Sequence, residues 1–230
     1  MQKKQSIHFL HIGKTGGTSI KHALKPFLQN DHSVIHLHPH TVKLRNIPDG
    51  ERVFFFLRDP IKRFVSAFYS RQRQGQPRIF RPWTPEEKLA FSCFDTPNKL
   101  AICLSSKEEA ARTMAEKAMK SIGHVKTHYW DWFESEPYLM SRLADIVFIG
   151  FQENLAEDFE RLKAELGLPE EAKLPSDDIR SHRNPAGLDM TLEEKSEENL
   201  KNWYQQDYSF IAICQGIIEQ RRLGGERPIA

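Results

Sequence analysis

The stretch Ser6-Ile7-His8-Phe9-Leu10-His11-Ile12-Gly13-Lys14-Thr15-Gly16-Gly17-Thr18-Ser19-Ile20 constrains this chain more than any other, because strand, turn and helix start follow one another within it. Ile7, Phe9 and Ile12 stand among polar neighbours in the manner of a short strand. Gly16 and Gly17 then let backbone N–H groups converge where a side chain would block an approaching anion. Thr18 or Ser19 is placed to cap a helix that continues through Ile20, Ala23 and Leu24 to Pro26. An anion on this turn meets backbone N–H groups, the positive helix end and the Lys14 ammonium together. Lys14 precedes the double glycine, so the segment is not the G-x-x-x-x-G-K-[ST] loop, in which the lysine follows the second glycine.

A second strand–turn–helix pattern runs from Val53 to Tyr69. The unbroken apolar run Val53-Phe54-Phe55-Phe56-Leu57 reads as a strand covered on both faces, and Asp59-Pro60 as a helix N-terminus with proline at its first position. Ile61, Phe64, Val65, Phe68 and Tyr69 repeat at helical spacing and predict a buried face, leaving Lys62, Arg63, Ser66 and Ser70 on the other. Arg58 ends the strand where open parallel sheets bind ligands, and Ser66 lies about two turns into the helix. Together they are placed to hold a second phosphate.

The rest of the chain is mostly helical in pattern. Helices are predicted over Glu86 to Phe94 and Lys107 to Ile122, and the aromatic segment Tyr129-Trp130-Asp131-Trp132-Phe133 precedes a strand near Ile146. Leu155, Phe159, Leu162 and Leu166 mark a helix stopped by Gly167 and Pro169. Thr191 with Glu194 has the form of a capping box, followed by a helical section through Trp203, Phe210, Cys214 and Ile217 to Gly224. Strands separated by helices predict an α/β class: a P-loop-like three-layer fold with a central parallel sheet flanked by helices and a helix-rich C-terminal half. With no repeat or long linker visible, residues 1–230 read as one domain.

These two motifs resemble those of sulfotransferases that use 3′-phosphoadenosine 5′-phosphosulfate. Gly13-Lys14-Thr15-Gly16-Gly17-Thr18-Ser19 is similar to the family's 5′-phosphosulfate loop, and Arg58-Asp59-Pro60 through Ser66 to Tyr69 to its 3′-phosphate motif. Within that superfamily the likeness is to the carbohydrate branch that includes heparan sulfate 2-O-sulfotransferase and small bacterial relatives, and Ile146-Val147-Phe148-Ile149-Gly150-Phe151-Gln152-Glu153-Asn154-Leu155 resembles that branch as well. The resemblance implies sulfuryl transfer from 3′-phosphoadenosine 5′-phosphosulfate to a hydroxyl acceptor, a saccharide in this branch, leaving adenosine 3′,5′-bisphosphate. It implies no metal.

Sulfuryl transfer needs a group that neutralises charge growing on the leaving phosphate, and Lys14 is the candidate. It also needs a base with a pKa near working pH. His36-Leu37-His38-Pro39-His40 lies between the motifs. The resemblance places the base in this interval, with His40 first, His38 as the alternative and His36 third. Alternate spacing on an extended segment also invites a metal reading, against which stand Pro39 and the lack of a Cys or carboxylate cluster. His8 and His11 are assigned to the first strand. The loop Arg180-Ser181-His182-Arg183-Asn184-Pro185-Ala186-Gly187 is similar to a late loop of the family, which implies nucleotide or substrate contacts for Arg183 and Asn184.

Composition enters at three points. The cysteines Cys93, Cys103 and Cys214 are odd in number and scattered, which predicts free thiols in a reducing compartment. A formal net charge of +2 gives no general nucleic-acid affinity, while Lys62, Arg63, Arg71, Arg73, Arg78 and Arg81 form either a solvated segment or a rim for an acidic acceptor. No apolar run is long enough to span a bilayer, and the start at the first strand, without the anchor of the Golgi members of this branch, fits a cytoplasmic bacterial protein. Two other readings remain: a P-loop nucleotide kinase, which lacks a Walker lysine and a Mg²⁺-holding acid after an apolar strand, and a nucleotide-binding module without catalysis.

Overall fold

The computed structural model describes residues 4–77, 79–176 and 187–224. In chain order its elements are β1 (Gln5–Phe9), α1 (Gly17–Leu24), β2 (Ser33–Leu37), β3 (Arg52–Leu57), α2 (Pro60–Gln72), α3 (Pro85–Cys93), α4 (Pro97–Cys103), α5 (Glu109–Ser121), α6 (Trp130–Phe133), α7 (Glu136–Ser141), β4 (Ile146–Phe151), α8 (Leu155–Leu166), α9 (Glu194–Trp203) and α10 (Gln205–Leu223). The chain divides into two compact units. One takes the chain up to Arg58, the stretch from Tyr129 through α8, and the chain from Ser209; the other takes Asp59–His128 and residues 187–208.

The apolar run of β3 decides the architecture of the first unit. Successive side chains of a strand point to opposite faces, so a run with no polar member must be covered on both. Phe54 and Phe56 pack with Ile7 and Phe9 of β1, Ile20 and Leu24 of α1, and Phe159 and Leu162 of α8. Val53, Phe55 and Leu57 pack instead with Tyr129, Phe133, Leu139, Phe210 and Cys214 from α6, α7, α10 and their approaches. The result is the three-layer α/β arrangement read from the sequence, with a parallel sheet in the order β2-β1-β3-β4.

Helix α1 begins two or three residues earlier than a cap at Thr18 or Ser19 implies. Its N-cap is Gly16, at φ 83°, with no side-chain cap, so Thr18 and Ser19 lie inside the helix rather than capping it. A glycine in the left-handed region lets the chain turn tightly enough that Gly17 already starts the helix. Gly167 ends α8 at φ 61°, with the Leu168 N–H returning to the Lys163 carbonyl at 2.9 Å.

The second unit is helical. Asp59 caps α2 by accepting from the Lys62 N–H at 2.9 Å, with Pro60 at the first position. Phe64, Val65, Phe68 and Tyr69 join a core with Leu100, Met119, Leu200 and Tyr204. Arg63 and Ser70 do not face solvent as the helical spacing implied: both are buried. Arg63 donates to the Thr127 carbonyl and hydroxyl, each at 2.7 Å. Arg71 is buried too, in a bidentate pair with Glu87 at 2.7 and 2.6 Å. The Thr191–Glu194 capping box does not form; α9 is capped at Glu193, because the Asp189 side chain takes the Thr191 N–H at 2.9 Å in a turn of its own.

Glu87 ties this unit together. It also accepts from the N–H groups of Gly123 and Thr84 at 2.9 and 3.1 Å. Burial alone would raise its carboxyl, but the bonds from Arg71, Gly123 and Thr84 hold it below the usual carboxylate range. Replacing Glu87 with Ala leaves the Arg71 charge buried without its partner, and is expected to cost about 3–5 kcal/mol in urea unfolding.

Candidate active site

The strand order places the site. The chain passes from β1 outward to β2, then crosses back to β3 on the other side of β1, so the loops after β1 and β3 part at adjacent strand ends. This is the switch point at which open α/β sheets bind ligands. The β1 loop runs from Leu10 to Gly16 and the β3 strand ends at Arg58, within the same unit.

The β1 loop is built from backbone. Lys14 adopts φ 70°, a left-handed value that L side chains rarely take, and Gly16 follows at 83°. The buried Thr15 holds the turn by donating its hydroxyl to the Ile12 carbonyl at 3.0 Å. A Cβ on Gly17 would run into the His11 ring, so glycine is required for space as well as for the turn. Gly13, Thr15, Gly17 and Ser19 are buried, while Lys14, Gly16 and Thr18 are half-buried. Left-handed residues ahead of a helix N-terminus form the type of concavity that cradles a phosphate, and no side-chain cap occupies this one.

Arg58 reaches the same turn. Its Nη1 lies 3.4 Å from the Lys14 carbonyl oxygen, which brings the guanidinium of the second sequence motif to the backbone of the first. Tyr129 fixes the backbone beneath it: the phenol accepts the Arg58 N–H at 3.1 Å and donates to the Arg58 carbonyl. Tyr129 is fully buried. Sequence reasoning placed it in an aromatic run and missed its role, although a buried tyrosine hydroxyl must find a partner. Ser66 lies half-buried in α2, in the second unit. Arg183 and the rest of 180–184 lie outside the described residues.

The histidines divide into two groups. His8 of β1 pairs in register with His36 of β2, and the His38 N–H continues that pairing onto the Phe9 carbonyl at 3.3 Å. His8, His36 and His38 therefore share a face: His8 stacks on His36 with ring centroids 4.6 Å apart, and meets His38 edge to edge with the rings nearly parallel and their centroids 5.1 Å apart. His8 Nε2 is 2.6 Å from Glu51 Oε2, and His8 Nδ1 is 2.8 Å from His38 Nε2. Lys21 donates to the His38 carbonyl. The chain leaves the strand after Leu37, and beyond Pro39 His40 takes a different place. Its ring lies 3.8 Å from that of His11, its Nδ1 is 3.2 Å from the His11 carbonyl, and its own carbonyl accepts from Trp132 Nε1 at 2.9 Å.

Among the described residues no group of three or more His, Cys, Asp or Glu is arranged to hold a metal ion. The basic rim is also smaller than its sequence: Arg63 and Arg71 are buried in structural bonds, Lys62 and Arg81 are exposed, Arg73 is half-buried, and Arg78 lies outside the described residues. Sequence reasoning assigned His8 and His11 to strand packing and did not single out Glu51, whose Asp49-Gly50-Glu51 setting reads as a solvated turn.

Burial lowers the pKa of His8 in spite of its bond to Glu51, which favours the neutral imidazole. The His38 pKa is lowered by burial first and then by His8, His36 and Lys21.

The model of the Sulfotransferase family matches residues 1–211, and the chain belongs to that family. No curated protein matches the chain. The family defines a sulfuryl-group transferase, in agreement with the parallel α/β unit and its phosphate-type turn. Among the described residues no helix is long and apolar enough to cross a membrane.

The lowered histidines carry a stability consequence with a definite sign. Once the pH falls below the ordinary value of 6.5, the unfolded chain binds protons that folded His8 and His38 still refuse. Stability is thus fully present above that value and falls as pH drops from it toward the folded pKa values. Urea unfolding at a series of pH values is expected to show this loss, and His8→Gln is expected to flatten it.

Proposed function

We propose that the protein transfers a sulfuryl group from 3′-phosphoadenosine 5′-phosphosulfate to a hydroxyl of a saccharide. The observation that carries this reading is the meeting of Lys14 and Arg58 on one glycine-bounded turn at the switch point of a parallel sheet. Residues Gly13 to Ser19 fit a phosphate group: a left-handed turn, a helix start without a side-chain cap, and cations from two strand ends. When bound, the donor supplies a sulfuryl group on a phosphate leaving group. Lys14 places its charge where negative charge grows during transfer, which favours the transition state over the ground state. Arg58, held by Tyr129, binds phosphate with charge-assisted hydrogen bonds. The proton acceptor is His40 or His38, the two histidines that follow β2.

The saccharide acceptor rests on the resemblance to the carbohydrate branch, and the reading of 1–230 as one catalytic domain on chain length and the lack of a visible repeat or linker. A reducing, cytoplasmic setting is supported by Cys93, Cys103 and Cys214 standing as free thiols.

Calorimetry tests the donor. Adenosine 3′,5′-bisphosphate is expected to bind without Mg²⁺ and much more tightly than AMP, which lacks the 3′-phosphate. Equal affinity for the two, or a requirement for Mg²⁺, contradicts the proposal. A charged phosphate contact is worth about 1.5–3 kcal/mol, so Arg58→Ala is expected to weaken the bisphosphate by roughly ten- to a hundredfold. Lys14→Ala is expected to lose more in turnover than in nucleotide affinity, because its contribution grows as the reaction proceeds.

A further inference from the structure

His8 is 6% exposed, yet it carries a polar partner on each ring nitrogen: Glu51 on Nε2 at 2.6 Å and His38 on Nδ1 at 2.8 Å. A carboxylate only accepts, so the Glu51 side requires a hydrogen on His8 Nε2. A neutral His8 then offers a lone pair at Nδ1. His38 must donate from Nε2 to meet it, which leaves the lone pair of neutral His38 on Nδ1. One carboxylate thus fixes the tautomer of two imidazoles in series.

We propose that Glu51, His8 and His38 form a proton relay in which Glu51 and His8 are positioning residues and His38 Nδ1 is the base that takes the acceptor's hydroxyl proton. This rests on the sulfuryl-transfer reading above. The acceptor oxygen gives its proton to His38 Nδ1 and an electron pair to the sulfur. The bond from sulfur to the leaving phosphate oxygen breaks, and its pair stays on that oxygen. His38 then passes its Nε2 proton to His8 Nδ1, so the positive charge rests one ring away, against the Glu51 carboxylate. The same logic lets a buried carboxylate orient and stabilise a catalytic imidazole elsewhere.

The surroundings suit this role. The groups facing His8 are Glu51, His36 and His38, and those facing His38 are His8, His36 and Lys21. Burial, the neighbouring imidazoles and Lys21 keep His38 neutral and ready to accept a proton, while Glu51 favours the charge once it has arrived. The register of β1 and β2 and the Lys21 bond to the His38 carbonyl hold the rings in place without help from a substrate.

Two readouts test the relay. Long-range ¹H–¹⁵N NMR of the free wild-type protein at neutral pH is expected to show His8 and His38 with hydrogen on Nε2 and none on Nδ1. Turnover against pH is then compared for wild type and Glu51→Gln, using 3′-phosphoadenosine 5′-phosphosulfate and a pool of uronic-acid-containing and neutral oligosaccharides. Glu51→Gln is expected to be at least about tenfold slower, within the hundredfold to ten-thousandfold that a base itself contributes. Its acid limb is expected at lower pH, because the imidazolium has lost its carboxylate. A merely structural Glu51 would lower activity without moving that limb. His38 protonated at Nδ1 in the neutral protein, or a Glu51→Gln profile that coincides with wild type, overturns the proposal. If the wild-type protein transfers no sulfuryl group to the pool, the proposed function falls and the base role of His38 with it, while the nitrogen shifts still decide whether Glu51 fixes the tautomers of His8 and His38.

Discussion

The site depends on β1 and β3 lying side by side and parallel. Their pairing, from Ile7↔Arg52 to Phe9↔Phe54, brings the ends of both strands to one edge of the sheet. From there Lys14 and Arg58 need only short reaches to share a turn. That pairing is secured by the hydrophobic effect acting on two faces at once, since β3 presents no polar residue to water anywhere along Val53 to Leu57. An anion on this turn would meet the positive helix end together with the Arg58 guanidinium.

The edge of the same sheet carries the histidines among which the base is proposed. In a sheet covered on both sides, a histidine is an unusual occupant and must have its ring nitrogens satisfied. Here β1 and β2 place His8 against His36 by register, and alternate spacing brings His38 to the same face. Burial and hydrogen bonding then act in opposite directions on His8: the first resists charge, while the second directs it toward Glu51. A base needs both properties, neutrality before the proton arrives and stabilisation afterwards.

Strands β1, β3 and β4 and the longer helices were legible because each carries its own local signal, whereas β2 showed only as an extended histidine segment. The glycine pair, the five-residue apolar run and the Asp59-Pro60 helix start all read correctly, as did the Gly167 stop. What the sequence hid were long-range partners. Arg63 and Arg71 looked like solvated charges until Thr127 and Glu87 were found to hold them in the interior. Tyr129 and Glu51 carried no local pattern that tied them to Arg58 and His8, respectively 71 and 43 positions away. The caps of α1 and α9 differ from the sequence reading for local reasons: the left-handed backbone of Gly16 starts α1 early, and the Asp189 side chain takes the Thr191 N–H ahead of α9.

The central claim is that the turn from Gly13 to Ser19, with Lys14 and Arg58, holds the donor nucleotide. A crystal structure of the protein with adenosine 3′,5′-bisphosphate tests it most directly. The account predicts the 5′-phosphate on the backbone N–H groups of this turn, with the Lys14 ammonium against it. A nucleotide bound elsewhere, or one that leaves the turn and Lys14 without phosphate contact, would contradict it.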